Sequence, residues 1–81
     1  MTTIKDFAEE NSLEIQSTGK WSHKHKRELW VSRVKGLTLG GKHVCGEGHT
    51  ENESIASLAL RLMGEEVFIG RRLFELPIFD Y

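Results

Sequence analysis

The clearest structural pattern in the chain lies between Gly46 and Gly64, in the sequence GEGHTENESIASLALRLMG. Thr50 stands three residues before Glu53, which is the spacing of a helix capping box. Behind that cap, apolar residues recur at the i, i+3, i+4 and i+7 positions of one helical face: Ile55, Leu58, Ala59 and Leu62. Three more widen the stripe: Ala56, Leu60 and Met63. With Gly64 as a typical stop, the pattern predicts a well-buried helix from about Glu51 to Met63.

The length of 81 residues predicts one small α+β domain over residues 1–81. A single cysteine, Cys45, excludes an internal disulfide and favours an intracellular protein. The sequence shows no N-terminal run of charged residues followed by apolar ones, so nothing in it suggests secretion. No apolar run approaches the roughly 20 residues that would span a bilayer. We therefore expect a cytoplasmic protein.

The net charge of −1 conceals a segregation of charge along the chain. Residues 1–19 carry one Lys against four acidic residues, a net charge of −3. Residues 20–43 carry seven Lys and Arg against one Glu, a net charge of +6. Residues 44–70 carry one Arg against five Glu, a net charge of −4. The middle of the chain is therefore basic and both predicted helices are acidic.

The segments before the central helix predict a short helix followed by strands. Thr2 or Thr3 caps a first helix predicted over about residues 4–10, and Thr3 and Asp6 repeat the capping spacing. The alternation in residues 13–16 predicts a short strand, and residues 17–26 are interpreted as an exposed loop or a frayed hairpin end. Two further strands are predicted, residues 28–34 and a segment from Leu37 to Cys45 that is bulged at Gly40 and Gly41, with a turn at Lys35 and Gly36 between them.

After the central helix, residues 65–69 and 72–76 predict a hairpin joined by a tight turn at Gly70 and Arg71. The element order is then α-β-β-β-α-β-β. This order predicts an α+β two-layer sandwich, in which two helices cover one face of an antiparallel sheet.

The order helix, three strands, helix resembles the double-stranded RNA-binding domain. That family grips phosphates with a basic cluster at the start of its second helix. The matching positions here are Glu51, Asn52 and Glu53, which are acidic or neutral and would repel phosphate. The resemblance therefore implies the topology and not the RNA-binding role.

The chain also resembles a group of small proteins encoded by tailed bacteriophages. The similarity rests on the helix TIKDFAEEN (residues 3–11), the turn CGEG (residues 45–48), the capped helix (residues 50–64) and the closing β segment (residues 67–77). These motifs are structural. The resemblance implies a phage context in the cytoplasm of an infected bacterium, and it implies no catalytic residue.

The sequence offers only weak signals for a metal site or a catalytic site, and structural roles explain the same residues better. Five residues could ligate a metal: His23, His25, His43, Cys45 and His49. Cys45 could also act as a nucleophile with His43 or His49 as its general base. Their spacing lacks the paired motifs of zinc sites, and exposed histidines beside a buried cysteine explain them better. Gly46 and Gly48 lack the rest of a phosphate-binding loop, and Glu47 would oppose an anion. We expect no metal, no cofactor and no enzymatic activity.

The basic block is the strongest candidate for a binding surface. Its proposed binding residues are Lys20, Trp21, Lys24, Lys26, Arg27, Trp30 and Arg33. Trp and Arg are favoured anchors of protein interfaces, so a host or phage protein is the preferred partner. Aromatic rings among cations could instead stack on single-stranded nucleic acid. A solvated loop with both Trp in the core is a third possibility, and a homodimer could form through an edge strand at residues 72–76.

Overall fold

A computed structural model of the chain describes residues 3–79. Its elements are α1 (Ile4–Glu10), β1 (Ile15–Ser22), β2 (Arg27–Leu39), β3 (Lys42–Gly48), α2 (Glu51–Leu62), β4 (Glu66–Ile69) and β5 (Arg72–Glu75). The order α-β-β-β-α-β-β is confirmed, and all strand pairs are antiparallel. The fold is an α+β two-layer structure with both helices packed on one face of a five-stranded sheet.

The long strand β2 organises the sheet. β1 pairs with the first half of β2, from Ile15 opposite Val34 to the end of the hairpin. β3 pairs along the other edge of β2. β4 pairs with β2 on the same edge as β1 but farther along the strand, with Leu37 opposite Ile69. β5 then pairs with β4. The sheet therefore has β1 and β4 in succession beside one central strand.

The interpretation of residues 17–26 as a loop is wrong for residues 17–22. These residues continue β1 and pair with β2 in one unbroken register that ends with Ser22 opposite Arg27. Backbone pairing does not need apolar side chains, and Gly19 lies directly beneath the ring of Trp30. Only residues 23–26 form the turn, where Lys26 adopts a positive φ of 52°.

The turn predicted at Lys35 and Gly36 is also wrong. β2 continues through Gly36, which has a φ of 77°, and its register against β3 shifts between Arg33 and Thr38. Gly40 and Gly41, predicted as a bulge, instead form the hairpin loop between β2 and β3, with φ values of 59° and 81°. A two-residue hairpin loop of this type needs positive φ at both positions, which glycine adopts without strain.

The helix caps are confirmed. The N–H of Glu53 donates to Thr50 Oγ1 at 3.1 Å, and the N–H of Thr50 donates to Glu53 Oε2 at 3.1 Å, which completes the capping box of α2. Asp6 N–H donates to Thr3 Oγ1 at 3.1 Å at the start of α1. α2 ends at Leu62, and Gly64 follows with a φ of 73°.

The core lies between the helices and one face of the sheet. Its fully buried apolar side chains include Leu58, Leu62 and Val67. The prediction that Leu60 widens the buried stripe is wrong, because Leu60 is 55% exposed. Leu60 lies two residues from both Leu58 and Leu62, about 200° around the helix from each, so it faces away from the sheet.

α2 lies very close to β2 and β3 because small residues line the contact. A Cβ on Gly46 would overlap backbone atoms of Ser54 and Leu58. Ser32 and Ser54 are fully buried, and their hydroxyl oxygens are 2.6 Å apart. This polar contact fixes the base of the β1–β2 hairpin against the helix.

Candidate interaction surface

The β1–β2 hairpin extends beyond the rest of the sheet. The last pair between β2 and β3 is Trp30 opposite Gly48. Within residues 3–79, the earlier β2 residues 27–29 pair only with β1. We call residues 20–30 the hairpin end. Beyond Trp30 it consists of two strands, so the side chains of residues 20–28 are presented to solvent on a projecting two-stranded ribbon.

The hairpin end is highly exposed. Between residues 20 and 28 only Ser22 is partly buried, and its Oγ accepts from the N–H of His25 at 3.3 Å across the turn. The Trp21 side chain is 56% exposed, which contradicts the reading that puts both tryptophans in the core. Lys24 and Lys26 in the turn, and Arg27 at the start of β2, are exposed as well.

Strand alternation divides the predicted binding residues between two faces. Trp21 and Trp30 point to the same face of the sheet as Ser17 and Ser32, and this face packs against the helices. Lys20, Arg27 and Arg33 point to the opposite face, which we call the open face.

The open face carries a shallow polar groove. Arg33 Nε donates to Gln16 Oε1 at 3.2 Å across β1 and β2. The groove is lined by Gln16, Thr18, Val31, Arg33 and Cys45. The structure therefore brings Arg33 to the same side as Lys20 but separates it from both tryptophans.

The two tryptophans differ in their surroundings. Trp30 is half-buried, its ring packs over Gly19, and its Nε1 donates to Glu28 Oε2 at 3.4 Å. Trp21 is directly opposite Glu28 in the strand pairing and keeps most of its surface free. Trp30 therefore supports the hairpin end, whereas Trp21 is the accessible ring.

The tryptophan side of the hairpin end contacts the segment that precedes α2. The Nδ1 atom of His49 lies 3.4 Å from the carbonyl oxygen of Glu28, so the residue before the α2 cap contacts the hairpin. The N–H of His49 donates to Glu53 Oε2 at 2.8 Å, and Glu51 begins the helix. Glu28 therefore lies on the tryptophan side, while Lys20, Arg27 and Arg33 lie on the open face, which also carries Glu47 opposite Val31.

A second exposed feature of the open face was not predicted from the sequence. Phe68 in β4 and Leu73 in β5 are directly opposite each other and are 48% and 53% exposed. Their neighbours Val67 and Phe74 contact the core, so alternation alone sends Phe68 and Leu73 to the other face. The alternation in residues 66–75 was the signal that could have identified them.

Other kinds of site find little support in the geometry. Among residues 3–79, no three His, Cys, Asp or Glu side chains come together as a metal site would require. Cys45 is a free, half-buried thiol on the groove of the open face. Neither helix in this part of the chain is long and apolar enough to cross a membrane.

Comparison of the chain with family models, with curated proteins and with solved structures found no match. The geometry of the hairpin end is therefore the basis for an assignment.

Proposed function

We propose that this chain is a small, non-enzymatic accessory protein of a bacteriophage that binds a host or phage protein in the bacterial cytoplasm through its hairpin end. The observation that carries this proposal is the exposed Trp21 ring on a projecting hairpin whose turn is basic. Binding through this surface would occlude or remodel the partner.

Trp21 has the properties of an interface anchor. Tryptophan is enriched among residues that contribute most to binding, because one rigid ring buries a large area at little cost in conformational entropy. The ring stands on a strand in continuous register, so its backbone is already ordered before binding. A partner with an apolar pocket could therefore accept the ring without reorganising the hairpin.

The basic turn adds a charge preference to this anchor. Lys24, Lys26 and Arg27 are exposed at the end of the hairpin, where they would approach a partner first. Exposed cations contribute more to the association rate and to selectivity than to affinity. The partner that fits best is a protein with an apolar pocket beside an acidic rim.

Nucleic acid is the alternative partner, favoured by the grouping of Lys20, Arg27 and Arg33 toward the open face. A strand that stacked on Trp21, however, would meet the Glu28 carboxylate, because Glu28 lies directly opposite Trp21 on the same side of the hairpin. Carboxylates at that position repel phosphate. The separation of ring from cations therefore favours a protein partner.

The test is affinity capture from bacterial lysate with the full chain as bait, with and without nuclease and at two salt concentrations. The variant K24E/K26E/R27E reverses the charge of the turn. The matched control K5E/K42E/R71E makes the same change in net charge at exposed cations on other elements. Both variants should keep the melting temperature of the parent, because exposed charges contribute little to stability.

A discrete protein that survives nuclease, and that the turn variant loses at least tenfold more than the control, would support the proposal. Equal capture by both variants would refute the role of the turn. Capture that disappears with nuclease, with affinity that falls steeply as salt rises, would transfer the assignment to nucleic acid.

A further inference from the structure

Within residues 3–79, β1 is an edge strand with unpaired backbone groups. The N–H of Lys35 donates to the carbonyl of Glu14 at 2.9 Å, so the backbone groups of Glu14 face β2. Alternate residues of an antiparallel strand direct their N–H and C=O groups to opposite edges. The groups that face the outer edge are those of Ile15, Ser17, Gly19 and Trp21. No strand within residues 3–79 pairs with that edge.

This edge lacks most of the features that protect sheet edges. β1 is eight residues long, its register contains no bulge and no proline, and Lys20 is its only charged residue. By contrast, β5 is four residues long, carries Arg72 and Glu75 at its ends, and precedes Pro77. Short, charged edges resist pairing with another chain, whereas long regular edges favour it. β1 is therefore a better site for added pairing than the segment 72–76 considered from the sequence.

The charges along β1 indicate which strand would add to it. Glu14 directly precedes the strand, and the end of α1 beside it carries Glu9 and Glu10. The other end of β1 leads into the basic turn, with Lys24 and Lys26. The edge thus runs from an acidic end to a basic end. An identical strand in the antiparallel direction brings each acidic end against a basic one.

We propose that β1 pairs antiparallel with β1 of a second copy of this chain, about a two-fold axis at Thr18. Thr18 is exposed on the open face, and its backbone groups face β2, so it forms a pair without mutual hydrogen bonds. Such closed two-fold pairing is the commonest symmetry of protein dimers. It would join the two sheets into one continuous sheet.

In the register about Thr18, the side chains that face each other across the interface are compatible in charge and shape. Lys20 of one copy lies opposite Gln16 of the other, and the ring of Trp21 lies opposite Ile15 on the side facing the helices. Aromatic and β-branched residues form favourable cross-strand pairs. Glu14 lies opposite Ser22 and next to the basic turn of the other copy. No pair of like charges meets across the interface in this arrangement.

The test uses charge substitutions at the axis. In T18K and in T18E, two identical charges would oppose each other at the closest pair of the interface. Sedimentation velocity of the parent chain over a broad concentration range should show a species of twice the 9.3 kDa monomer mass. Each variant alone should dimerise at least about tenfold more weakly. An equal mixture of the two should regain dimerisation, since opposite charges then meet at the axis.

L73K is the matched control, because Leu73 is an exposed open-face residue on the other candidate edge, β5. It should leave dimerisation unchanged. The proposal is overturned if the parent chain stays monomeric throughout, if T18K and T18E dimerise like the parent, or if their mixture gains nothing. Loss of the dimer in L73K alone would assign the contact to β5. Unchanged circular dichroism would show that each variant is folded.

The inference does not rest on the proposed function. T18K and T18E keep the Trp21 ring and the cations of the turn, so partner capture can be measured separately on the same variants. A chain that dimerises without a captured partner would refute the binding proposal alone.

Discussion

Three serines and one carbonyl group form a directed hydrogen-bond chain that joins the sheet to α2. Ser54 Oγ donates to the carbonyl oxygen of Glu51 at 2.7 Å. A hydroxyl has one hydrogen, so Ser54 must accept from Ser32 at 2.6 Å, and Ser32 in turn accepts from Ser17 at 2.7 Å. Ser32 and Ser54 are 0% exposed, so water cannot replace either partner without a rearrangement.

The perturbation is a double-mutant cycle of S32A, S54A and S32A/S54A. Each single substitution leaves the other buried hydroxyl without one partner, which costs about 1–3 kcal/mol of unfolding free energy. Each lost kcal/mol should lower the melting temperature by about 4–8 °C in a domain of this size. The double variant removes both polar groups from the buried space. The double variant should therefore lose less unfolding free energy than the two single variants lose in sum, by at least about 0.5 kcal/mol.

The assay is urea denaturation of the four proteins, with the midpoint and slope fitted separately. S17A is the control at the outer end of the chain, because Ser17 is only partly buried and a water molecule at its position could donate to Ser32 in its place. It should cost less than either buried single substitution. Costs of S32A and S54A that add to within about 0.3 kcal/mol would refute the coupled chain. A loss of unfolding free energy in S17A equal to that in S32A would also refute the coupled chain.

Two further predictions use Leu60 as a shared control. Leu58→Ala should lower the unfolding free energy by about 2–5 kcal/mol, since Leu58 is 0% exposed, whereas Leu60→Ala should change it by at most about 0.5 kcal/mol in thermal or urea unfolding. Trp21→Ala should weaken capture of the partner protein by about 2 kcal/mol, roughly 30-fold, while Leu60→Ala, at nearly the same exposure, should leave it unchanged. A Trp21→Ala variant that binds like the parent would remove the anchor from the proposed surface.

Local patterns predicted the helices almost to the residue. Thr50 and Glu53 define the start of α2 because both halves of a capping box lie within one turn of chain. At the start of α1, Thr3 accepts from the N–H of Asp6, which is one half of such a box. The order of elements and the α+β class follow from such patterns together with the apolar spacing. Each of these signals acts between residues that are close in sequence.

The candidate site was predicted less completely. The residues of the basic block were identified, but their division between two faces depends on the register of β1 against β2. Lys20 and Trp21 are adjacent in sequence, and alternation places them on opposite sides of the hairpin. The polar composition of residues 17–22 concealed that they form a strand at all. The pairing partner, 15 to 5 residues away along the chain, supplies that information.

The sequence by itself determined the helices, their caps, the tight turn at Gly70 and the α+β order, because these depend on short-range spacing and on backbone preferences of single residues. Only the tertiary structure decided that β2 continues through Gly36, that Leu60 faces solvent, and that the hairpin end projects with β1 as an edge to which no strand of residues 3–79 pairs. These features depend on which strands meet and where each partner ends. That choice is made by burial and pairing between distant segments, which no local pattern encodes.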